Sequence, residues 1–194
     1  MSSPETPEDT CYERYTPSSI ATIDTVTTPP PGESGSSGVT VLETGTESLH
    51  ARAWLGQHAQ KTMDVQYFIF ASDNLGLIAL DYLVRAAERG VRVRLLVDDT
   101  LTHGDPLILL AANSVPNLEV KIYNPNLNIG KTLGQALKNT TLNFKDVNQR
   151  MHNKSYTIDN KVSIIGGRNV ANEYYDLDPE YNFRDRDLLM TGDV

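Results

Sequence analysis

The most informative stretch of this chain is HNKSYTIDNKVSIIGGRN, residues 152–169. Its segments KSYTI and KVSII have the length and composition of β-strands, and Asp159-Asn160 between them favours a tight turn. We therefore predict an antiparallel β-hairpin at this position. Gly166-Gly167 follows the second strand and permits a sharp turn in which the backbone can approach another molecule closely.

Upstream of the hairpin, helix and strand patterns alternate. Apolar residues at helical spacing, an N-cap at Asp73 or Asn74 and a stop at Gly90 indicate the clearest helix. Thr44 or Thr46 is the expected N-cap of an earlier helix. The expected elements, in chain order, are helix 47–60, strand 63–70, helix 75–86, strand 91–97, a short helix after Asp105-Pro106, and strand 118–123.

This alternation predicts a parallel βαβαβ unit, to which the hairpin and a last strand at 187–190 add antiparallel neighbours. The expected fold class is α/β, with a mixed, mainly parallel β-sheet flanked by helices. We expect a single half-domain over residues 39–194. Residues 1–38 are crowded with Pro, Ser and Thr and carry six acids against one Arg, so we expect a disordered acidic tail.

Charge is segregated along the chain. The 194 residues contain 17 Lys and Arg against 25 Asp and Glu, a net charge of -8, which by itself argues against a general binder of nucleic acid or anionic membranes. Residues 125–168, however, carry seven bases and two acids. His152 lies within this one basic region.

No apolar run reaches the roughly 18 residues of a membrane span, and the single Cys11 excludes an internal disulfide.

The candidate site is built on one face of the first hairpin strand. Side chains two residues apart on a strand point to the same side, so His152 and Lys154 should project together, about 7 Å apart at their Cα atoms. An imidazole beside an ammonium suits a phosphate-like substrate. Asp159 lies at the turn and has the opposite strand parity, so we expect it to hold the hairpin or to pair with a base rather than to contact phosphate. The amide of Asn169 could donate to a phosphoryl oxygen.

The pattern His-x-Lys-x4-Asp-x6-Gly-Gly-x-Asn over residues 152–169 matches the HKD signature of the phospholipase D superfamily. TMDVQYFIF, RGVRVRLLVDD and NLEVKIYNP resemble further parts of the N-terminal catalytic half of bacterial phospholipase D-type cardiolipin synthases. The resemblance covers residues 39–194 and implies an α-β-α sandwich. It also implies a phosphodiesterase or phosphatidyltransferase that acts on glycerophospholipids without a metal or other cofactor.

The resemblance implies a role for each site residue. His152 would either form a phosphohistidine or protonate the leaving alcohol, and Asp159 would complete the catalytic motif. A carboxylate about thirty residues downstream would orient the histidine, and Asp185 has this spacing, with Asp187 as the second choice. The residues expected to bind the substrate phosphate are Lys154, Asn169 and Gly167.

A complete active site of this superfamily contains two such motifs, and this sequence contains one. The second half would come from another copy of the chain or from the rest of a longer chain cut short after Asp185. The resemblance implies a phospholipid substrate and a location at the bacterial cytoplasmic membrane, with residues 125–150 as a candidate contact with the lipid surface.

Two other functions remain open. Single-motif nucleases of the superfamily suggest a homodimeric phosphodiesterase, although nucleic acid is the less favoured substrate. A catalytically incomplete half-domain could instead bind phospholipid or a partner chain. Asp98-Asp99, at the end of a predicted strand, could form a metal or ribose site or could frame the cleft.

Overall fold

The computed structural model describes residues 23–28, 37–98, 106–125 and 149–192. A 3-10 helix at Asn172–Tyr174 accompanies the regular elements in these ranges. The helices are α1 (Ile23–Thr27), α2 (Gly45–His58), α3 (Asn74–Glu88) and α4 (Pro106–Ala112). The strands are β1 (Gly38–Leu42), β2 (Thr62–Tyr67), β3 (Arg92–Asp98), β4 (Leu118–Tyr123), β5 (Ser155–Ile158), β6 (Val162–Gly166) and β7 (Asp187–Thr191).

The described strands form one seven-stranded sheet in the order β1-β7-β6-β5-β2-β3-β4. β2, β3 and β4 run parallel, as the alternating pattern predicts. The other four pairings are antiparallel, so the sheet is mixed as expected but is not mainly parallel. The prediction overstated the parallel part because the hairpin inserts directly beside β2. It also missed β1, a five-residue strand at the edge of the sheet whose first four residues are exposed.

α2 and α3 cover one face of the sheet. Val65 and Tyr67 of β2 and Tyr156 of β5 line the same cavity as side chains from both helices. Each fully buried aliphatic side chain in this core contributes about 1.5–3 kcal/mol of stability. The opposite face is more polar and bears the ion pair between Asp64 and Arg94.

Local signals set the bounds of the two long helices. Thr44 caps α2, since its hydroxyl accepts from the Glu47 N–H at 3.1 Å while the Glu47 carboxylate accepts from the Thr44 N–H at 3.0 Å. Asp73 caps α3 by accepting from the Gly76 N–H at 2.9 Å. Gly90, at φ 94°, ends α3 in a conformation that disfavours residues with a side chain.

One short helix departs from the expected acidic tail. α1 lies within residues 1–38, where its Ile23 side chain is fully buried in the core and Asp24 forms an ion pair with Lys161 next to the hairpin turn. Residues 18–28 contain Ile20, Ile23 and Val26 at a spacing of three, but the Ser-, Thr- and Pro-rich composition around them favours a disordered tail. The remainder of the expected tail, apart from Thr28, Ser37 and Gly38, lies outside the described residues.

Candidate active site at the carboxyl edge of the sheet

Several chain segments meet where β2 and β3 end. β5 begins opposite the end of β2, with Ser155 paired to Gln66, and β7 begins opposite the end of β6, with Asp187 paired to Gly166. We call this side of the sheet the carboxyl edge. Residues just before β5, just after β6 and just before β7 are therefore neighbours there, although they are distant in sequence.

His152 and Lys154 lie together at the carboxyl edge, immediately before β5. The Lys154 Nζ is 3.1 Å from the His152 Nδ1 and also donates to the His152 carbonyl oxygen at 3.1 Å. Both groups pack on Phe68, whose ring centroid is 4.5 Å from the imidazole centroid and 5.6 Å from Nζ. The imidazole is exposed. The pair is thus fixed by one aromatic ring and open to a substrate.

This geometry determines where the imidazole holds its proton. An ammonium can only donate, so Nδ1 of His152 accepts and the ring proton resides on Nε2. In this arrangement Nε2 can donate a hydrogen bond to an oxygen of a bound anion. Burial lowers the pKa of Lys154, and the nearby Asp185 carboxylate opposes that shift. Attack by Nε2 would require the ring proton to move to Nδ1.

Asp185 lies against Gly167 at the same edge. A Cβ atom at Gly167 would lie 2.7 Å from the Asp185 Cγ, so a larger residue here would displace the Asp185 side chain. The Gly167 N–H donates to the Arg186 carbonyl at 3.1 Å. The amide expected to bind phosphate is therefore engaged within the protein, and the glycine instead makes room for the carboxylate that acts on Lys154.

Asn169 is 2% exposed and faces the protein. Its Oδ1 accepts from the Ile69 N–H at 3.0 Å, which fixes the chain that follows β2. Burial raises the pKa of Tyr174, and a hydrogen bond with the Asn169 side chain acts in the opposite direction. Asn169 therefore joins the segments after β2 and β6 behind the exposed pair.

Asp159 occupies the opposite edge of the sheet, at the hairpin turn. Its carboxylate accepts three backbone hydrogen bonds, from Gln60 at 3.0 Å, Lys61 at 2.7 Å and Thr62 at 2.8 Å. Seven residues of extended chain separate it from His152, about 23 Å at the usual rise. These contacts tie the turn to the start of β2 and hold Asp159 at the end of the hairpin away from His152.

Asp187 belongs to a buried charge network beneath the carboxyl edge. Its side chain is fully buried; Oδ2 accepts from the Ser48 hydroxyl at 2.5 Å and lies 3.1 Å from Arg52 and 3.5 Å from Arg168. The Arg52 Nε donates to the Tyr67 hydroxyl at 2.9 Å, and burial raises the pKa of that phenol. Two guanidinium groups thus face one buried carboxylate.

Sequence reasoning missed Phe68 because nothing in the pattern MDVQYFIF separates a ring that packs on the imidazole from one that fills the core. Three features discussed from the sequence lie outside the described residues. They are Cys11, Asp99 and residues 126–148 of the candidate lipid-contact segment 125–150. Among the helices that the structure describes, none has the length and apolarity needed to cross a bilayer.

The mixed sheet and the paired His152 and Lys154 define a phospholipase D-like half-domain. The family model described as "Cardiolipin synthase, PLD-like domain" matches residues 56–190. The chain is 39% identical over 161 residues to cardiolipin synthase C of Escherichia coli (strain K12), a match that covers 82% of this chain and 33% of that protein. This chain belongs to the family of cardiolipin synthase PLD-like domains, which confirms the resemblance found in its sequence.

Other relatives agree with this assignment. The probable cardiolipin synthase YwiE of Bacillus subtilis (strain 168) is 29% identical over 163 residues, 81% of this chain and 29% of that protein. This chain thus spans about a third of the length of these curated relatives.

Among solved structures, NucT from Helicobacter pylori has a TM-score of 0.55 at 17% identity, and the match covers 80% of this chain and 85% of the NucT chain. Phosphatidylserine synthase of Haemophilus influenzae Rd KW20 has a TM-score of 0.55 at 19% identity, over 79% of this chain and 33% of its own. These two structures confirm the α/β fold class.

Proposed function

We propose that this chain is one catalytic half of a phospholipase D-type phosphatidyltransferase that acts on glycerophospholipid phosphodiesters. The observation that carries the proposal is the exposed imidazole of His152 with the Lys154 ammonium 3.1 Å from its ring nitrogen. The ammonium neutralises a phosphoryl oxygen, and the imidazole supplies either a nucleophile or a proton. The family supports phospholipid as the substrate, since its named relatives are cardiolipin synthases.

The reaction consists of two displacements at phosphorus. In the first, a histidine Nε2 forms a P–N bond while the P–O bond to the leaving alcohol breaks, and a second histidine protonates that alcohol. In the second, water or an acceptor alcohol attacks phosphorus, the P–N bond breaks, and the second histidine takes up the proton of the attacking hydroxyl. Water gives hydrolysis, and an alcohol gives transphosphatidylation. To serve as the proton donor His152 would be an imidazolium with protons on both ring nitrogens, and to attack phosphorus it would carry its single proton on Nδ1. In both states Lys154 releases Nδ1, and Asp185 would accept the Nδ1–H hydrogen bond.

A second half-site completes this mechanism. The curated relatives are about three times as long as this chain, which fits a second catalytic half elsewhere in a longer protein. A second copy of this chain would satisfy the same chemical need. Residues 125–150 would contact the lipid surface and place the enzyme at the bacterial cytoplasmic membrane, since this segment mixes leucines with lysines.

The test combines substrate choice with molar mass in solution. The purified chain is assayed on phosphatidylglycerol vesicles and on single-stranded DNA, over a concentration range in which light scattering reports its mass. We expect cleavage of the lipid that increases with the dimer fraction and is absent in His152→Gln. Cleavage of DNA alone would favour the nuclease function instead. Lipid cleavage that persists in His152→Gln would overturn the assigned site.

A further inference from the structure

The chain just before His152 is held by side chains from two other strands. The paired register of β5 with β2 ends at Ser155 and Gln66, so His152 lies three residues outside that ladder. Buried backbone groups in such a segment need other partners. Asp98, the last residue of β3, and Asn124, directly after β4, supply them.

Asp98 holds this segment through a hydrogen bond and an ion pair, and its side chain is fully buried. Its Oδ2 accepts from the Met151 N–H at 2.9 Å, and its Oδ1 lies 3.4 Å from the Arg150 Nη1. Met151 is itself 8% exposed. A buried carboxylate with a backbone donor and a guanidinium partner resists displacement, because each group left alone would be an unpaired buried charge or donor.

Asn124 holds the same segment from the neighbouring strand. Its φ of 45° lies in the left-handed region, which asparagine tolerates better than most residues. Its Nδ2 donates to the Gln149 carbonyl at 2.9 Å, and its own carbonyl accepts from Arg150 at 3.3 Å. Three consecutive residues, 149–151, are therefore fixed to the ends of β3 and β4.

We propose that Asp98 is a positioning residue of the active site. By fixing Arg150 and Met151 it sets where the His152 imidazole stands beside Lys154, and Asn124 completes this grip. The catalytic consequence rests on the proposed function, but the positional consequence does not. A misplacement of about 1 Å in a reacting group can cost on the order of 100-fold in rate.

The first readout needs no turnover. Ring signals of the chain's histidines are recorded by NMR, and His152→Gln assigns the His152 signal. His58, whose Nδ1 lies 2.7 Å from the Trp54 carbonyl, is the internal reference. Asp98→Asn should shift or broaden the His152 signal and leave His58 unchanged. The matched control Asp64→Asn, which removes an ion pair from the exposed face of the adjacent strand, should change neither. A His152 signal identical in the wild type and Asp98→Asn overturns the proposal.

The second readout is kinetic. Asp98→Asn should lower kcat about 10-fold with KM within about twofold, because the grip affects placement more than binding. An unchanged kcat would also overturn the positioning role. If Asp98→Asn fails to fold, Asn124→Ala replaces it, with a smaller change in the same direction expected and an unchanged His152 signal as the contradicting result. If the wild type shows no turnover, the ring signals alone decide the positioning role.

Discussion

The two ends of the β5–β6 hairpin carry different residues of one sequence motif, and these residues have different roles. At the turn, Asp159 is surrounded by backbone N–H groups and ties the hairpin to β2. At the open end, His152 and Lys154 stand beside the segment Gly166–Asn169, and the imidazole is exposed. Residues of one sequence motif can therefore lie at different sites, because their positions in the sheet determine which of them are neighbours. Changes at the two ends should therefore differ in kind.

The largest expected effect on stability comes from Asp187, which lies beneath the open end. Asp187→Ala removes the carboxylate that pairs with Arg52 and Arg168, and leaves two buried guanidinium groups uncompensated. We expect a loss of about 3–5 kcal/mol in the free energy of unfolding, measured by urea denaturation. As a control, Asp81→Ala breaks an exposed ion pair with Arg85 and should cost no more than about 0.5 kcal/mol. Equal losses in the two variants would contradict the network's role.

At the turn, Asp159→Ala should destabilise the protein by about 2 kcal/mol. It removes the acceptor of three backbone hydrogen bonds and places alanine at a φ of 54°. Asp159→Asn keeps an acceptor and tolerates this backbone, so its loss should be about half as large. Thermal unfolding measures both. Turnover per folded molecule should remain unchanged, and a collapse of turnover at unaltered stability would make Asp159 part of the chemistry.

At the open end, pH should act through Lys154. Burial lowers its pKa from the ordinary value of 10.5, so the ammonium is lost earlier as pH rises. The alkaline limb of kcat/KM should therefore fall below pH 10.5, and Lys154→Arg should move it upward if the variant retains activity. Over the interval between the folded pKa and 10.5 the unfolded chain binds more protons, so this group makes stability rise with pH there. An alkaline limb at the same pH in Lys154→Arg would show that a group other than Lys154 titrates there.

The smallest effect should come from the ring that supports the pair. Phe68→Leu keeps an apolar contact but removes the aromatic face beneath Nζ. A cation–π contact at a partly exposed site is worth about 0.5–1 kcal/mol, so kcat/KM should fall about 2- to 5-fold with little change in unfolding temperature. An unchanged kcat/KM would reduce Phe68 to a packing residue.

Much of the fold could be predicted because its signals are local. The cap at Asp73, the stop at Gly90 and the turn at Asp159-Asn160 each depend on neighbours in sequence. The position of β1 and the burial of Ile23 depend on contacts with distant strands, and nothing nearby in the sequence encodes them.

The site shows the same division. Strand parity predicted that His152 and Lys154 project together and apart from Asp159. The two side chains do meet, but both residues precede β5 and their contact is made outside the strand. The sequence pattern could not show that the Gly167 N–H donates to Arg186 or that the Asn169 Oδ1 accepts from Ile69, because these partners lie on other segments.

The most direct test compares His152→Gln with Asp159→Asn in one assay. Turnover of phosphatidylglycerol is measured for both variants and divided by the folded fraction from circular dichroism. If the two hairpin ends have separate roles, His152→Gln should lower turnover at least about 1,000-fold, whether this histidine attacks phosphorus or protonates the alcohol. Asp159→Asn should not lower turnover. Turnover of His152→Gln within tenfold of the wild type, or an equal loss in both variants, would contradict these separate roles.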